Sequence, residues 1–468
     1  MFALTLQSLH LSNYRCFESL TVSFHPKLTV LAASNGAGKT SVLDAVAVAL
    51  GPFVGAFDEA VGRHFEPDDI RLTRVRETAS NEMESAPGGV VLEATGIVPE
   101  SPSDLRPNVA TWLRSLSSPV GAKTTIRHAK SLIDYGKRLQ HAVRSPEEAQ
   151  VVLPLIAYYG TGRLWQRKKL QENRLSRTSR TIGYTDCLDP ASSYKSFVEW
   201  FKYWNFNAKN SRIEALERNR TPTGTEFDAY IQSVSDAVNA CLAPSGWRNI
   251  SYSFSRETMV AEHAHHGELP VDLLSDGIRN MIGMVADMAF RATKLNPHLG
   301  SLAAQETPGI VLIDEVDMHL HPEWQQVVLA SLRNAFPQVQ FIVTTHSPQV
   351  LSTVSRESVR MLGTDGAGRP TIAEPLANPY GAPSHTVLQR VMMVDPQPPI
   401  DELAELKELT RLVDQGRYES GRAGELMTRL VSRLGGHHEQ IQRLQRSINR
   451  QRALAAQMPS PPTAEGAP

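Results

Sequence analysis

The chain has 468 residues, 41% of them apolar, and a formal net charge of −1. This length and composition predict a globular protein of two or three domains with a large core. A nearly neutral chain excludes a global basic field, so any contact with nucleic acid must come from a local patch. The three cysteines are far apart and odd in number, which disfavours a disulfide framework or a zinc site.

Two signals of membrane insertion or export are missing from the sequence. No apolar run reaches the ~18 residues of a membrane span. The first residues carry neither a basic segment nor a cleavage site, so we expect no signal peptide. These features, with the cysteine usage, predict a cytoplasmic protein.

An apolar strand is predicted over residues 28–32, followed by a glycine-rich turn and a helix over residues 42–50 that Gly51 caps. Strand, glycine-rich turn and Lys-Thr at a helix start form the context of a phosphate-binding loop, where backbone N–H groups face the phosphates. Lys39 is expected to reach the β- and γ-phosphates, and Thr40 to ligate Mg²⁺. The residues predicted to bind ATP are Asn35, Gly36, Ala37, Gly38, Lys39, Thr40 and Ser41.

The region that follows is polar and rich in Pro and Ser over residues 80–119, with short helical stretches beyond it. The apolar run 153–159, which ends in Tyr-Tyr-Gly, predicts a core strand returning from this region. Arg163 lies just after that strand and is a candidate phosphate sensor. A surface arginine fits the sequence equally well.

Residues 163–180 form the most basic segment of the chain and contain a single acid, Glu172. This segment has two interpretations, a track for nucleic-acid phosphates or an ordinary solvated face. The candidate DNA-contacting residues are Arg163, Arg167, Lys168, Lys169 and Arg174.

The aromatic stretch at residues 194–206 offers a choice between base stacking and core packing. Its aromatic side chains recur at helical spacing on one face, which predicts a packed core helix. The residues on that face are Phe197, Trp200, Phe201 and Trp204.

Ser275, Asp276 and Gly277 precede a predicted amphipathic helix. A Ser and a Gly at a helix start present N–H groups to an anion. Taken alone, the segment also fits an ordinary helix cap.

Residues 309–313 form an apolar strand that ends at Asp314 and Glu315. This arrangement predicts the second half of the nucleotide site, with Asp314 holding Mg²⁺ through water and Glu315 orienting or deprotonating the attacking water. One helix is predicted to begin at Pro322 and to continue through Leu332.

A further strand, residues 341–345, ends at His346. The carboxyl end of a strand beside the strand of Asp314 is where ligands bind in open α/β sheets. His346 is therefore a candidate catalytic residue that senses or stabilises the γ-phosphate. The alternative is a histidine that only caps the strand.

After Pro399 the pattern predicts three amphipathic helices, around residues 403–412, 426–434 and 441–454. The third helix carries several arginines on its outer face. Such an appendage can cap an ATPase, pack against a second dimer or dock a partner. Residues 457–468 cannot bury a core and are predicted to be disordered.

The joint order of these motifs resembles that of the ABC-type ATPases, in particular the group that includes RecF, SMC-like and OLD-type proteins. Residues 9–24 resemble the opening hairpin of that group, and residues 315–322 and 345–348 resemble its later motifs. One departure is Ala33, because the phosphate-loop pattern usually begins with Gly at this position.

The resemblance implies an α/β P-loop fold, with a mixed sheet flanked by helices, a largely helical insertion and a C-terminal helical appendage. It also implies a head-to-tail homodimer that sandwiches ATP between the phosphate loop of one copy and the signature of the other. The signature residues acting in trans would be Ser275, Asp276 and Gly277, and Asp317 would lie at the dimer interface.

The expected domain organisation has five parts. These are an ATPase N-terminal lobe at 1–97, an insertion at 98–245, an ATPase C-terminal lobe at 246–395, a helical appendage at 396–456 and a disordered tail at 457–468.

No nuclease motif follows His346, and residues 348–399 are too few for a Toprim domain, so a separate polypeptide is expected to cut any DNA. The layout, through residues 158–163, 274–277 and the helical C-terminus, resembles the AAA-15/21-like ATPases of anti-phage modules and retrons. It also resembles the PtuA-type ATPases of Septu systems, which act beside an HNH nuclease.

This second resemblance implies an ATP- and Mg²⁺-dependent ATPase that regulates a partner effector. One alternative is a RecF-like repair ATPase that binds duplex DNA directly. Another is a transporter motor, which the long insertion and the lack of a recognisable Gln loop disfavour.

Overall fold

The computed structural model describes residues 3–58, 60–74, 83–100, 107–121, 123–145, 150–164, 179–190, 194–221 and 223–457. The chain divides into two compact units, Met1–Met393 and Val394–Pro468.

The first unit begins with β1 (Thr5–Tyr14), β2 (Phe17–Ser23), β3 (Leu28–Ala32), α1 (Lys39–Val54), β4 (Leu72–Arg74), β5 (Met83–Ser85), β6 (Val90–Ile97), β7 (Val109–Leu116), α2 (Lys130–Arg144), β8 (Leu155–Tyr159), α3 (Tyr194–Glu217) and α4 (Glu226–Leu242). It continues with β9 (Trp247–Ser253), β10 (Thr258–His263), β11 (Gly267–Pro270), α5 (Asp276–Leu295), α6 (Ala303–Glu306), β12 (Gly309–Ile313), α7 (Pro322–Gln325), α8 (Val328–Ala335), β13 (Val339–Thr345), α9 (Pro348–Leu351), β14 (Val359–Thr364), β15 (Pro370–Ala373) and α10 (Ser384–Arg390).

The central sheet has the strand order β15-β14-β3-β13-β12-β8, and all its neighbouring pairs are parallel except β14 and β15. Every residue of β3, β8, β12 and β13 is buried, as expected for strands covered on both faces. Because these four strands are parallel, their carboxyl ends meet at one edge of the sheet. That edge carries the glycine-rich loop, Asp314 and His346.

A second sheet, β2-β1-β6-β7, is antiparallel and begins with the hairpin of β1 and β2. The sequence analysis did not identify β6 and β7, which lie in the segment interpreted as polar and rich in Pro and Ser. Their alternating burial hides both strands, since only every second residue faces the core. Two of these inward residues bind α1, because Trp112 Nε1 donates to the Ala49 carbonyl and Arg114 Nη1 to the Val48 carbonyl, both at 2.9 Å.

The prediction that Gly51 caps α1 is wrong, since the helix continues to Val54 and Gly55 follows it. Pro52 lacks the N–H that would bond to the Val48 carbonyl one turn earlier. The Arg114 guanidinium occupies that carbonyl instead, so the helix passes the proline without an orphaned acceptor. Gly51 has a packing role, because a Cβ there would collide with the Arg63 carbonyl oxygen.

The single helix predicted from Pro322 to Leu332 is two helices, α7 and α8. The Val327 N–H bonds to the Trp324 carbonyl three residues back, which interrupts the α-helical ladder. The Gln325 side chain is held by tertiary contacts at this break, donating to the Leu320 carbonyl and accepting from the Ser347 hydroxyl.

The predicted core helix is present as α3. Its four predicted inward aromatic side chains are buried, and Trp204 packs against Phe290 of α5 with ring centroids 5.5 Å apart. A mixed P-loop sheet flanked by helices, the fold class predicted from the sequence, is confirmed.

The second unit consists of α11 (Leu403–Asp414), α12 (Gly421–Leu434) and α13 (Glu439–Gln457), the three helices predicted from the sequence. It has its own core, in which Leu409, Leu426, Leu430 and Ile441 are fully buried. The predicted disordered tail lies outside the described residues after position 457. Within the described part of the chain, no helix is both long and apolar enough to cross a membrane.

Candidate nucleotide-binding site

The loop between β3 and α1 passes twice through left-handed backbone. Gly36 has φ 77° and Gly38 has φ 95°, conformations that glycine adopts without steric cost. Gly38 is the N-cap of α1 and no side chain caps this helix. Ser34, Asn35 and Gly36 are exposed. The loop therefore offers backbone N–H groups and the positive end of a helix dipole at the surface.

Lys39 is the first residue of α1 and is only 6% exposed. Its Nζ donates to the carbonyl oxygens of Ala33 and Ser34, at 3.3 and 3.2 Å, so the ammonium group lies against the loop. Burial lowers the pKa of Lys39, and the nearby carboxylates, Asp314 first among them, oppose that shift. The structure thus provides a buried cation at the loop that the sequence analysis assigned to phosphate.

Asp314 follows β12 and is 2% exposed. Its Oδ2 accepts from the Thr40 hydroxyl at 2.7 Å, across 274 positions of sequence, and its Oδ1 accepts from the Thr344 hydroxyl at 2.6 Å. Its backbone N–H donates to the Tyr159 carbonyl at 2.8 Å. Three neighbouring strands and α1 therefore hold this carboxylate in one place.

Glu315 is half-buried and has φ 47°, a left-handed conformation that is uncommon outside glycine. Its N–H donates to the Thr344 hydroxyl at 2.7 Å, so Thr344 contacts both the Asp314 carboxylate and the Glu315 backbone. Such backbone strain costs on the order of 1–3 kcal/mol and clusters at functional sites.

The end of β13 is tied to the loop after Glu315. The Thr345 hydroxyl donates to Asp317 Oδ1 at 2.6 Å, and the Ser347 N–H donates to Thr345 Oγ1 at 2.9 Å. His346 lies between these two residues and is half-buried. The structure therefore brings the candidate γ-phosphate histidine to the sheet edge that carries Asp314.

The segment predicted to act as a signature opens α5, with Ser275 exposed at the N-cap and bonded to no backbone N–H through its side chain. Gly277 is needed for packing, because a Cβ there would collide with the His319 carbonyl oxygen. Asp276 pairs with Arg279 one turn later. The signature and the loop of Asp317 are thus neighbours within one copy.

Sequence reasoning missed a polar cluster beneath the phosphate loop. Asp44, on the second turn of α1, accepts from Arg15 Nη1 at 2.6 Å and from the Tyr158 hydroxyl at 3.1 Å, and pairs with Arg63 Nη2 at 2.8 Å. Arg15 also binds Asp69, with Nε 2.8 Å from Oδ1. A lone carboxylate within the apolar run of α1 was the one signal that could have revealed this cluster.

The DNA-contact predictions are not resolved by the structure. Arg167, Lys168, Lys169 and Arg174 lie outside the described residues. The backbone of Arg163 forms part of a 3₁₀ turn, Thr161–Leu164, directly after β8, but its side chain is outside the described part. These assignments stay predictions.

The gathered groups suit a nucleotide with its metal. Mg²⁺ prefers hard oxygen donors such as hydroxyl and carboxylate groups. Thr40 supplies the hydroxyl in the first turn of α1, and Asp314 supplies the carboxylate beside it. The exposed left-handed loop and Lys39 supply the donors that phosphates require. The fold and this site together define a P-loop ATPase domain.

Comparison with known proteins agrees with this class. Residues 8–232 match a family model described as an AAA domain, and residues 163–352 match a model described as an AAA domain, putative AbiEii toxin, type IV TA system. Together the two matched stretches cover residues 8–352 of the chain.

The chain is also similar to individual curated proteins. It is 26% identical to the retron Ec83 probable ATPase of Escherichia coli, over 96% of this chain and 87% of that protein. It is 24% identical to the retron Vc95 probable ATPase of Vibrio cholerae serotype O1 biovar El Tor, over 90% and 86%. A shorter stretch, 21% of this chain and 25% of the relative, is 32% identical to the Septu protein PtuA of Bacillus thuringiensis. The resemblance to the retron probable ATPases and to the Septu protein PtuA is confirmed.

Proposed function

We propose that this chain binds and hydrolyses ATP, and that ATP-driven pairing of two copies regulates a partner effector in anti-phage defence. The observation that carries the proposal is the hydrogen bond between Thr40 and Asp314 beside the buried Lys39. Two segments that are distant in sequence join there to make one site for the terminal phosphates and Mg²⁺.

Each residue then has a distinct task. Lys39 and the N–H groups of residues 35–41 bind the phosphates, while Thr40 and Asp314 hold Mg²⁺. When bound, Mg²⁺ neutralises charge on the phosphate oxygens. Glu315 orients or deprotonates the attacking water, and His346 contacts the γ-phosphate.

The signature completes the site of a second copy. Ser275 and Gly277 open a helix of 20 residues, whose dipole favours an anion at this end. Leu273, just before them, is 71% exposed, and an exposed large apolar side chain supports a protein contact here. Asp276 lies in the same motif, and Asp317 is assigned to the interface.

The partner is proposed from the relatives. Two similar proteins are named retron probable ATPases and a third is a Septu protein, which supports a role beside a separate effector such as an HNH nuclease. A cytoplasmic location is part of the same proposal. Co-purification of the chain with the products of neighbouring genes, with and without ATP, tests the proposed partner. If none of these products is recovered in either state, the proposal of a partner effector is contradicted.

Glu315→Gln tests the chemistry and the pairing together. The variant should keep ATP affinity, lower turnover at least about 100-fold and accumulate as a dimer with ATP, because it binds the nucleotide but cannot activate water. Equilibrium dialysis, phosphate release and light scattering measure the three quantities. Glu323→Gln, whose side chain is 87% exposed, is the matched control and should behave as wild type. Unchanged turnover in Glu315→Gln removes Glu315 from the reaction, and a monomer in saturating ATP contradicts the pairing.

A further inference from the structure

Strand β8 carries two successive tyrosines whose hydroxyl groups donate to two different carboxylates. Tyr158 donates to Asp44 Oδ1 of α1 at 3.1 Å, and Tyr159 donates to Asp287 Oδ2 of α5 at 2.7 Å. Successive side chains of a strand point to opposite faces of the sheet. The strand therefore contacts the phosphate-loop helix on one face and the signature helix on the other.

Both contacts lie in the protein interior. Tyr158 is 1% exposed and Tyr159 is 3% exposed. Burial raises the pKa of both hydroxyls above the ordinary value for tyrosine, so both groups remain protonated donors at neutral pH. A buried carboxylate that loses a donor cannot replace it with water, which makes each bond costly to remove.

The same strand also positions Asp314. The Asp314 N–H donates to the Tyr159 carbonyl at 2.8 Å, at the end of the parallel pairing of β8 with β12. The Asp314 carboxylate accepts from Thr40 of α1, and α1 returns to β8 through Asp44 and Tyr158. These bonds form a closed circuit through α1, β8 and β12.

Helix α5, which begins at the signature, is also fixed by buried hydrogen bonds. Asp287 accepts from Arg291 Nε at 2.7 Å, and Arg291 Nη1 donates to the carbonyls of Gly183 and Thr185 at 2.8 and 2.9 Å. Asp287 lies in α5, and Ser275 is the N-cap of that helix about three turns away. A displacement at Asp287 is therefore carried to the signature.

We propose that Tyr158 and Tyr159 are positioning residues that couple the two halves of the ATP site within one copy. Tyr158 holds the phosphate-loop helix in place beside Asp314, and Tyr159 holds the signature helix to the same strand. The inference rests on the proposed function, because the signature acts only on ATP bound by a second copy. The inference predicts different effects when the hydroxyl group of Tyr158 and that of Tyr159 are removed.

Tyr158→Phe and Tyr159→Phe each remove one oxygen and keep the ring. Tyr158→Phe should weaken ATP binding about five- to tenfold, as expected for one buried hydrogen bond that orients the site. Tyr159→Phe should leave the ATP dissociation constant within about twofold and lower kcat about tenfold, with a Hill coefficient falling towards one. Tyr159→Phe should also speed hydrogen exchange in the first turns of α5, which Tyr158→Phe should leave unchanged.

Tyr184→Phe is the matched control. Tyr184 is fully buried, and its hydroxyl donates at 2.7 Å to the Pro154 carbonyl instead of a carboxylate. It should lower the melting temperature as the other two variants do, with ATP affinity and kcat unchanged. The inference is overturned if all three variants lose activity in proportion to stability, or if Tyr159→Phe weakens ATP binding as much as Tyr158→Phe does. If the wild-type chain binds ATP and the three variants behave alike, only this inference is overturned. If the wild-type chain binds no ATP, the proposed function is overturned as well.

Discussion

The proposed role of Lys39 follows from its neighbours in sequence, whereas its burial and hydrogen bonds follow from the fold. The strand, the glycine turn and the helix start around it are local patterns, so its assignment to phosphate needed no tertiary information. Its burial beneath the loop carbonyls did need it, because those contacts depend on the path of residues 33–38.

Lys39→Ala is expected to weaken ATP binding roughly 100-fold, since a charge-assisted hydrogen bond contributes ~1.5–3 kcal/mol and the ammonium group can make more than one. Equilibrium dialysis with ATP measures this loss. Lys27→Ala is the control, because Lys27 precedes the opposite end of β3 and its Nζ donates to the Pro337 carbonyl. ATP affinity retained in Lys39→Ala would refute the site.

Asp44 shows where residue-level prediction stops. The apolar helix around it was predictable, and so was a polar exception within it. Its partners Arg15, Arg63 and Tyr158 come from three separate segments, and nothing local to any of them indicates the others. A carboxylate shared by two guanidinium groups is a tertiary property.

At the scale of elements, the buried strands β3, β8, β12 and β13 and the helices of the second unit were predictable, because continuous apolar runs mark these strands and a helical apolar period marks the helices. Strands β14 and β15 of the same sheet were not predicted. The errors have a common cause. Gly51 was interpreted as a helix end and residues 322–332 as one helix, although side chains outside each segment, Arg114 and Ser347, contact the two positions concerned. In α1, the Arg114 guanidinium donates to the Val48 carbonyl the hydrogen bond that Pro52 cannot donate, so the helix continues past the proline.

The packing role of Gly51 is testable against another helical glycine. Gly51→Ala should lower the free energy of unfolding by ~1–3 kcal/mol, because the new methyl group meets the Arg63 backbone. Gly424→Ala in α12 should raise it by up to ~1 kcal/mol, since its Cβ would meet nothing within 4 Å and alanine favours the helix. Denaturant unfolding of both variants measures the difference. If Gly51→Ala raised the free energy of unfolding, the close approach of the Arg63 backbone would not be the reason for glycine at this position.

On the scale of the whole molecule, the proposed ATP-binding groups all belong to the first unit, while α11, α12 and α13 have a separate core. A chain ending at Met393 should therefore fold and bind ATP within about twofold of the full chain, as expected when each unit buries its own apolar surface. Calorimetric titration of both chains tests this expectation, with Lys39→Ala in the shortened chain as the negative control. A tenfold loss of affinity on truncation would mean that the second unit contributes to the site.

The amino-acid sequence alone was sufficient for the fold class and for the buried strands β3, β8, β12 and β13. It also singled out four side chains, Lys39, Thr40, Asp314 and Glu315, whose roles stay predictions. Each of these lies in a short segment whose periodicity and turn residues carry the information locally. The sequence predicted that Thr40 and Asp314 belong to one site, but only the tertiary structure decided that they hydrogen-bond directly, that β8 joins α1 to α5, and that helix α1 continues past a proline. Those contacts link segments more than a hundred positions apart or depend on a buried partner, and no local pattern encodes such a pairing.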